Sequence, residues 1–208
     1  MLMLNGEKFG WCGYLVLISL VPLSLFSPFT DAADRIGNFY KIEVNFTRFE
    51  NPDGLTRGGY PCDHLSKCDP HIYAYIDIIS PTAKFPGPSR QNTSHYSYVT
   101  GQTDKNVADF TEGNNGIVHI ICQVGQSGHV LPKMVNARVE VRDKDPLTPD
   151  DIIEQFDCIF PFSVSRDFNG GWSSVRECSG VGHIKDKFKL FYRWRVRPIY
   201  STQCYAPL

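Results

Sequence analysis

The chain has 208 residues, a length typical of one domain or of two small ones. It carries 21 Lys and Arg against 22 Asp and Glu, and this net charge of −1 excludes a protein that grips nucleic acid by bulk positive charge. Hydrophobic residues at 42% and charged residues at 21% exclude a wholly disordered chain, and 14 Phe, 10 Tyr, 17 Gly and 14 Pro favour short strands and turns.

The first 32 residues have the pattern of a secretory signal peptide. Lys8 precedes an apolar run at residues 11–26, and Thr30-Asp31-Ala32 places small residues at both ends of a cleavage triplet. We therefore expect cleavage after about residue 32, which leaves one domain at residues 33–208. The predicted product is a secreted, extracellular protein.

The alternative is an uncleaved signal anchor that tethers the protein to a membrane. The stretch from Trp11 to Phe29 has 19 residues and can just cross a bilayer. Pro22 and Pro28 oppose a continuous spanning helix, so cleavage is the favoured interpretation. No later apolar stretch reaches the length of a membrane span.

Cleavage leaves an even number of cysteines and a net charge of 20 − 20 = 0. Six cysteines in an exported chain predict up to three disulfides, and spacing leaves the pairing open except that Cys62 and Cys68 can close one loop. With His64 and His71, these two can also form a zinc site, although export favours a disulfide. Two glycosylation sequons, at Asn45 and Asn92, agree with export. The disulfide candidates are Cys62, Cys68, Cys122, Cys158, Cys178 and Cys204.

Period-two alternation and β-branched or aromatic runs predict at least six strands. Turn clusters rich in Gly, Pro and Asn separate them, which is the pattern of an all-β antiparallel sandwich. Polar residues at alternate positions are expected to face solvent. In chain order the predicted strands are Tyr40–Thr47, His71–Ile79, Ile117–Val124, Val135–Val141, Phe156–Val164 and 187–197.

Two other segments lack a clear strand pattern. Residues 81–111 are polar and predict a long loop with at most one strand, around Tyr96–Val99. Residues 148–151, followed by Ile152-Ile153-Glu154, permit one short helical turn.

The last predicted strand carries a row of basic residues on one face. Such a row can bind acidic headgroups or glycans, but it is more often the solvent face of a strand, where it discourages edge pairing. The row consists of Lys187, Lys189, Arg193, Arg195 and Arg197.

Five aspartates lie in two loops beside predicted strands. Asp63 and Asp69 precede the strand at 71–79, and the stretch from Asp143 to Asp151 follows the strand at 135–141. If both loops meet at one end of the sandwich, their carboxylates repel one another unless a cation lies between them. Calcium fits best, because it takes 6–8 oxygen ligands in flexible loops, whereas magnesium needs stricter geometry and zinc prefers nitrogen and sulfur. The alternative is that each aspartate belongs to an ordinary solvated turn.

The spacing of these aspartates resembles the calcium loops of C2 domains. Asp63-x5-Asp69-Pro70-His71-Ile72-Tyr73 is similar to the family's first loop, and Asp143-x-Asp145-x5-Asp151 is similar to its third. The resemblance covers roughly residues 38–200 and implies an eight-stranded antiparallel β-sandwich. It also implies calcium-dependent docking to phospholipid membranes, with the aspartates as ligands and with Leu65 and Leu147 near the loop tips in contact with the membrane. The implied ligands are Asp63, Asp69, Asp143, Asp145 and Asp151.

A second resemblance is to the N-terminal C2-like module of Notch ligands, which is extracellular and carries disulfides. Phe39–Val44, Gly170-Gly171-Trp172 and Tyr192–Val196 are similar to its segments. This resemblance implies a module that binds an extracellular protein receptor, with calcium purely structural. Because the modules that follow in Notch ligands have no counterpart before Leu208, we expect an isolated module.

No motif predicts an enzyme. The sequence has no Gly-x-Ser-x-Gly, no phosphate-binding Gly-rich loop and no His-Glu-x-x-His. Its six histidines have no spacing that links them to a nucleophile. We therefore expect a calcium-binding recognition module whose partner is a phospholipid membrane or a protein receptor, and not nucleic acid.

Overall fold

The computed structural model describes residues 39–63, 66–87, 95–111, 115–122, 130–165 and 170–204. The expected signal peptide, Leu65, His64 and the sequon at Asn92 lie outside the described residues. Within the described ranges, no helix combines the length and the apolar character needed to cross a bilayer.

The fold is an all-β sandwich of two antiparallel sheets. The strands are β1 (Tyr40–Glu50), β2 (Pro70–Asp77), β3 (Ser97–Gly101), β4 (Val107–Asp109), β5 (Gly116–Ile121), β6 (Met134–Asp143), β7 (Asp151–Pro161), β8 (Arg176–Glu177), β9 (Ser179–Gly180) and β10 (Lys189–Pro198). In the first sheet β4, β1, β10 and β8 are neighbours, and β5 also pairs with β1. The second sheet has the order β3-β2-β6-β7-β9. Two short 3-10 turns, Lys185–Lys187 and Ser201–Cys204, complete the regular structure.

The antiparallel sandwich is confirmed, although the described residues form ten strands and not eight. The count is higher because two segments each form two short strands. β4 and β5 pair with successive halves of β1 and share one position at the edge of the first sheet. β8 and β9 flank Cys178 and pair with different sheets, β8 with β10 and β9 with β7.

Two local expectations were wrong. The segment 81–111 holds two strands, β3 and β4, where at most one was expected, because short edge strands have only part of one face against the core and so lack clear alternation. The expected helical turn near residue 151 is instead the start of β7. Asp151 pairs with Asp143 across the β6–β7 hairpin, and Ile153 is fully buried in the core.

The core lies between the two sheets and comes from the alternating apolar residues. On β10, Leu190, Tyr192, Trp194 and Val196 point inward and are buried. Phe160 of β7 stacks on Trp194 with 5.1 Å between ring centroids, so an aromatic contact joins the two sheets at the centre.

The outer face of β6 is buried, contrary to the expectation that its polar residues face solvent. Asn136, Arg138 and Glu140 are at most 1% exposed. The Arg138 guanidinium donates to the carboxylates of Asp77 and Asp157, each at 2.9 Å, and Nη2 also donates to the carbonyl oxygens of Ser80 and Ala83. The segment 78–87 therefore covers this face, because a buried guanidinium needs acceptors for its donors.

Three disulfides pair the six cysteines that the structure describes. Cys62 bonds Cys68, Cys122 bonds Cys204, and Cys158 bonds Cys178. The first pair excludes the alternative zinc site, because both of its sulfurs are bonded to each other. The other two join β7 to the β8–β9 segment and the end of β5 to the last 3-10 turn.

Candidate metal centre

The two aspartate-rich loops meet at one end of the sandwich. One loop leads into β2 and the other joins β6 to β7, and β2 and β6 are neighbours with Pro70 opposite Asp143. The backbone N–H of Asp69 donates to Asp143 Oδ1 at 2.6 Å, and the N–H of Lys144 donates to the Asp69 carbonyl oxygen at 3.1 Å. Antiparallel pairing of β2 and β6 thus brings residues 74 positions apart into direct contact.

Three of the five predicted ligands converge. Asp63, Asp143 and Asp145 each offer a carboxylate oxygen, and these oxygens lie within 4.8 Å of one another. Asp143 is the central member, since it is 1% exposed while Asp63 and Asp145 are half-buried. Its Oδ2 is buried and has no hydrogen-bond partner among the described residues. Burying a carboxylate oxygen without a partner is energetically unfavourable unless a proton or a cation binds to it.

The electrostatics of the cluster disfavour three negative charges. Burial raises the pKa of Asp143 to about 6, and the negative charges of Asp63, Asp145 and Asp69 add to this rise, which outweighs the hydrogen bond from the Asp69 N–H. The pKa of Asp145 is also raised, by burial and by Asp63 and Asp151. Lys144 does not offset these charges directly, because its ammonium pairs with Asp150 at 2.9 Å.

Asp69 and Asp151 flank the three converging carboxylates. Asp151 is exposed at the start of β7, directly opposite Asp143 in the hairpin. The carboxylate of Asp69 accepts a hydrogen bond from the backbone N–H of Asp104, so part of it is turned toward the neighbouring β3–β4 loop. Neither belongs to the group of three converging carboxylates, and their role as ligands stays a prediction.

The β3–β4 loop is also part of this end, which the sequence pattern did not predict. Besides its hydrogen bond to Asp69, Asp104 accepts the N–H of Lys67 at 3.0 Å, and Asn106 Oδ1 accepts the N–H of Cys68 at 3.0 Å. Asp104 has φ of 54°, a conformation that Asp tolerates better than most residues. The signal was the polar turn Thr103-Asp104-Lys105-Asn106, which lay inside the segment predicted as a long loop.

The first loop is also braced from the side by a disulfide. The sulfurs of Cys62 and Cys68 lie within 4.8 Å of an Asp143 carboxylate oxygen. Asn51, which is fully buried, donates from Nδ2 to the Leu55 carbonyl oxygen at 2.8 Å and to the Cys68 sulfur at 3.2 Å. The disulfide therefore fixes the backbone that carries Asp63 next to the cluster.

The donor set fits a hard divalent cation. All three converging side chains present carboxylate oxygens, and the two nearby sulfurs are in a disulfide and cannot bind a metal as thiolates. Leu147, between Asp145 and Asp151, is 94% exposed and lies at the tip of the β6–β7 loop. An apolar side chain thus extends into solvent beside the acidic cluster.

The two sheets and the loops at their end have the architecture of a C2-like sandwich, and the resemblance to C2 domains is confirmed. The chain is similar to a C2 domain protein from Ramazzottius varieornatus, with 26% identity over 82% of this chain and 95% of that chain and a TM-score of 0.65. That similarity is to a C2 domain, which is a non-catalytic module.

Two further solved structures are similar at lower scores. The Drosophila C2-DSL-EGF1 structure is 14% identical over 76% of this chain and 67% of that chain, with a TM-score of 0.46. Human GIVD cytosolic phospholipase A2 is 13% identical over 78% of this chain, with a TM-score of 0.46, and the match spans only 17% of the phospholipase chain. No protein-family model matches the sequence. No curated protein sequence matches it either.

Proposed function

We propose that the protein is an extracellular C2 module that binds calcium between its loops and then docks onto phospholipid membranes. The observation that carries the proposal is the Asp143 carboxylate, which is 1% exposed, has an unpartnered Oδ2, and faces Asp63 and Asp145. A carboxylate in this position needs a positive charge, and no Lys or Arg among the described residues forms an ion pair with it.

Calcium supplies that charge and leaves coordination positions for a partner. Asp63, Asp143 and Asp145 would hold the ion, and Asp69 and Asp151 would complete its protein ligands after a small movement of their side chains. Calcium takes 6–8 oxygens, so a loop end of this kind leaves room for phosphate oxygens of a lipid headgroup. Binding of the ion also neutralises the acidic end, which otherwise repels an anionic membrane surface.

Leu147 supplies an apolar contact once the loop reaches the membrane. Its side chain is 94% exposed, so it gains hydrophobic free energy by entering the interface. Full burial of a leucine stabilises by about 1.5–3 kcal/mol. We assign the same role to Leu65 in the first loop from its position between Asp63 and Asp69 in the sequence.

An extracellular location is supported by covalent chemistry. Three disulfides are consistent with an oxidising compartment. The predicted signal peptide and the sequons at Asn45 and Asn92 point the same way. Asn45 is half-buried on the outer face of β1, opposite Arg193 and Gly116, and we propose it and Asn92 as glycosylation sites.

The test combines calcium calorimetry with vesicle sedimentation. We expect the protein to release or absorb heat on calcium addition and to sediment with phosphatidylcholine–phosphatidylserine vesicles in calcium but not in EDTA. Asp143→Asn should lose both signals. Asp186→Asn, a matched change at an exposed aspartate in the 3-10 turn, should keep them.

Two results would overturn the proposal. Equal sedimentation in calcium and EDTA would show that docking does not use the ion. Calcium heat that is lost in Asp143→Asn, without any vesicle binding, would replace membrane docking with a protein-interaction module in which calcium is purely structural.

A further inference from the structure

A row of arginines runs along the outer face of the first sheet, away from the calcium-binding end. Arg193, Arg195 and Arg197 occupy alternate positions of β10, so successive side chains lie about 6.8 Å apart on one face. Lys41 on β1 is directly opposite Arg197. These four cations are joined on the same face by Glu43, which is opposite Arg195, and by the half-buried Trp172. We call this set of six residues the Arg–Trp patch.

The patch has a surplus of positive charge. Glu43 is its one acidic member, and it binds Arg195 at 2.7 Å, Arg197 at 2.8 Å and Lys41 at 3.2 Å. Four cations and one carboxylate give a net charge of 4 − 1 = +3. Arg193 has a buried Nε without a hydrogen-bond partner among the described residues. One carboxylate does not balance four positive charges, so the patch keeps a net positive charge that attracts anionic groups.

Trp172 holds two of the arginines in place. The guanidinium carbons of Arg195 and Arg193 lie 4.6 and 5.0 Å from the centroid of its ring. Two hydrogen bonds fix the segment beside it: the N–H of Ser173 donates to the Trp194 carbonyl oxygen at 2.8 Å, and the N–H of Trp194 donates to the side-chain Oγ of Ser173 at 3.0 Å. The cations are therefore preorganised, which lowers the entropic cost of binding a ligand.

A shallow open groove runs beside the patch between β1, β5 and Trp172. Gly116 lies in its floor, opposite Asn45, and a Cβ there would collide with the Val44 carbonyl oxygen. The absence of a side chain therefore lets β5 approach β1 closely at this position. A groove that is open to solvent and lined by the cations Lys41 and Arg195 can admit a ligand that extends beyond it on both sides, which an enclosed pocket cannot.

We propose that the Arg–Trp patch binds a linear sulfated polysaccharide. Guanidinium groups form bidentate hydrogen bonds with oxyanions such as sulfate, and repeated sulfates along a chain match cations repeated along a strand. A bilayer fits less well: Glu50 pairs with Lys189 near the loop end and Tyr40 pairs with Pro198 at the far end, so the patch lies on the flank and not at the docking tip. The site does not use calcium, and only the availability of such a ligand rests on the proposed extracellular location.

The test measures heparin affinity of purified protein in EDTA. All variants carry Asn45→Gln, which removes the proposed glycan from the same face. Replacing Arg193 and Arg195 with Gln should weaken heparin binding by at least about tenfold, because two charge-assisted contacts are lost. The double variant Lys84→Gln with Lys133→Gln removes equal charge from exposed positions elsewhere and should bind heparin like the parent. Desulfated heparin should bind far more weakly than heparin.

A second variant distinguishes a direct effect on heparin binding from a loss of folding. Glu43→Gln removes the patch's one negative charge and should tighten heparin binding, an effect that unfolding cannot mimic. Equal heparin affinity of the arginine variant and the parent, with unchanged circular dichroism, would overturn the proposal. Binding that survives desulfation, or stronger arginine-dependent binding to phosphatidylserine vesicles in EDTA than to heparin, would overturn it as well.

Discussion

The backbone N–H of Asp69 donates to the carboxylate of Asp143 at 2.6 Å and joins the two aspartate-rich loops at one end of the sandwich. This hydrogen bond uses one oxygen of Asp143, while the other has no partner among the described residues. The two loops are therefore held together by a contact that does not need an ion, and one buried oxygen stays available for the proposed ion.

Asp143→Asn should stabilise the protein in EDTA while it removes calcium binding. The amide oxygen can still accept the Asp69 N–H, and the amide NH2 can donate to Asp63 or Asp145 where two carboxylates now repel. We expect a gain of about 1–2 kcal/mol in the free energy of unfolding, the size of one buried polar group relieved of its penalty. Urea unfolding in EDTA measures it, and a less stable variant would contradict our account of the apo cluster.

Removing the Cys62–Cys68 disulfide should weaken calcium binding. A loop of this length contributes about 2 kcal/mol to stability, and here it also holds Asp63 beside Asp143. In Cys62→Ser with Cys68→Ser we expect lower thermal stability and a higher calcium Kd by calorimetry. Cys158→Ser with Cys178→Ser serves as the control, because that pair lies away from the cluster and its loss should lower stability without changing the Kd. Equal effects of the two pairs on Kd would disprove the bracing role.

Leu147→Ala should reduce vesicle binding without changing calcium affinity. The removed methyl groups are expected in the membrane interface, and loss of about 1.5–2 kcal/mol corresponds to roughly a tenfold to thirtyfold weaker partition. Ile79→Ala is the matched control, since Ile79 is 83% exposed, follows β2 at the end away from the acidic loops, and loses the same number of carbons. If both variants sediment with vesicles like the parent, Leu147 is not a membrane contact.

Glu154 should make stability depend on pH. This carboxylate is fully buried, Oε1 accepts the N–H groups of Gln155 and Gly182, and Oε2 has no partner among the described residues. Burial raises its pKa above the usual range, against the hydrogen bonds and the nearby Arg57 and His183, which lower it.

The sign of the pH effect follows from that raised pKa. Below the unfolded value of about 4.3 both states hold the proton and the group has no effect. As the pH rises above it, the unfolded state releases the proton first, so stability falls until the folded pKa is passed. Glu154→Gln should remove this fall and be about 1 kcal/mol more stable at neutral pH, with little difference in acid. Urea unfolding across this pH range measures the difference in stability, with Glu177→Gln at an exposed position as the control. Parallel pH profiles of stability for Glu154→Gln and the parent would contradict the prediction.

The sequence predicted the parts of the fold that alternate strongly. β1, β6 and β10 each have one apolar face against the core. Apolar residues therefore recur at every second position, as in Ile42, Val44 and Phe46. β8 and β9 have two residues each and sit where one segment passes between the sheets around Cys178. A two-residue strand is too short to show any period.

The candidate centre could be predicted only in part, for a topological reason. The spacing of Asp63, Asp143 and Asp145 relative to their strands placed them at strand ends, and pairing of β2 with β6 brings these ends together. The contribution of Asp104 depends on a third loop whose strands are short and lack clear alternation. Burial of Asp143 to 1% exposure also results from packing around the loops, which no local pattern records.

Arg138 and Arg195 show that the same residue type has opposite uses on the two sheets. Arg138 is completely enclosed by Asp77, Asp157 and the carbonyl oxygens of the 78–87 segment, whereas Arg195 keeps 23% of its side chain in solvent. In the second sheet, the buried guanidinium of Arg138 therefore holds the surface segment 78–87 against the strands beneath it. Insertions in that segment should lower the stability of the fold more than insertions in an ordinary loop. A longer segment would move the carbonyl oxygens away and leave a buried guanidinium without acceptors.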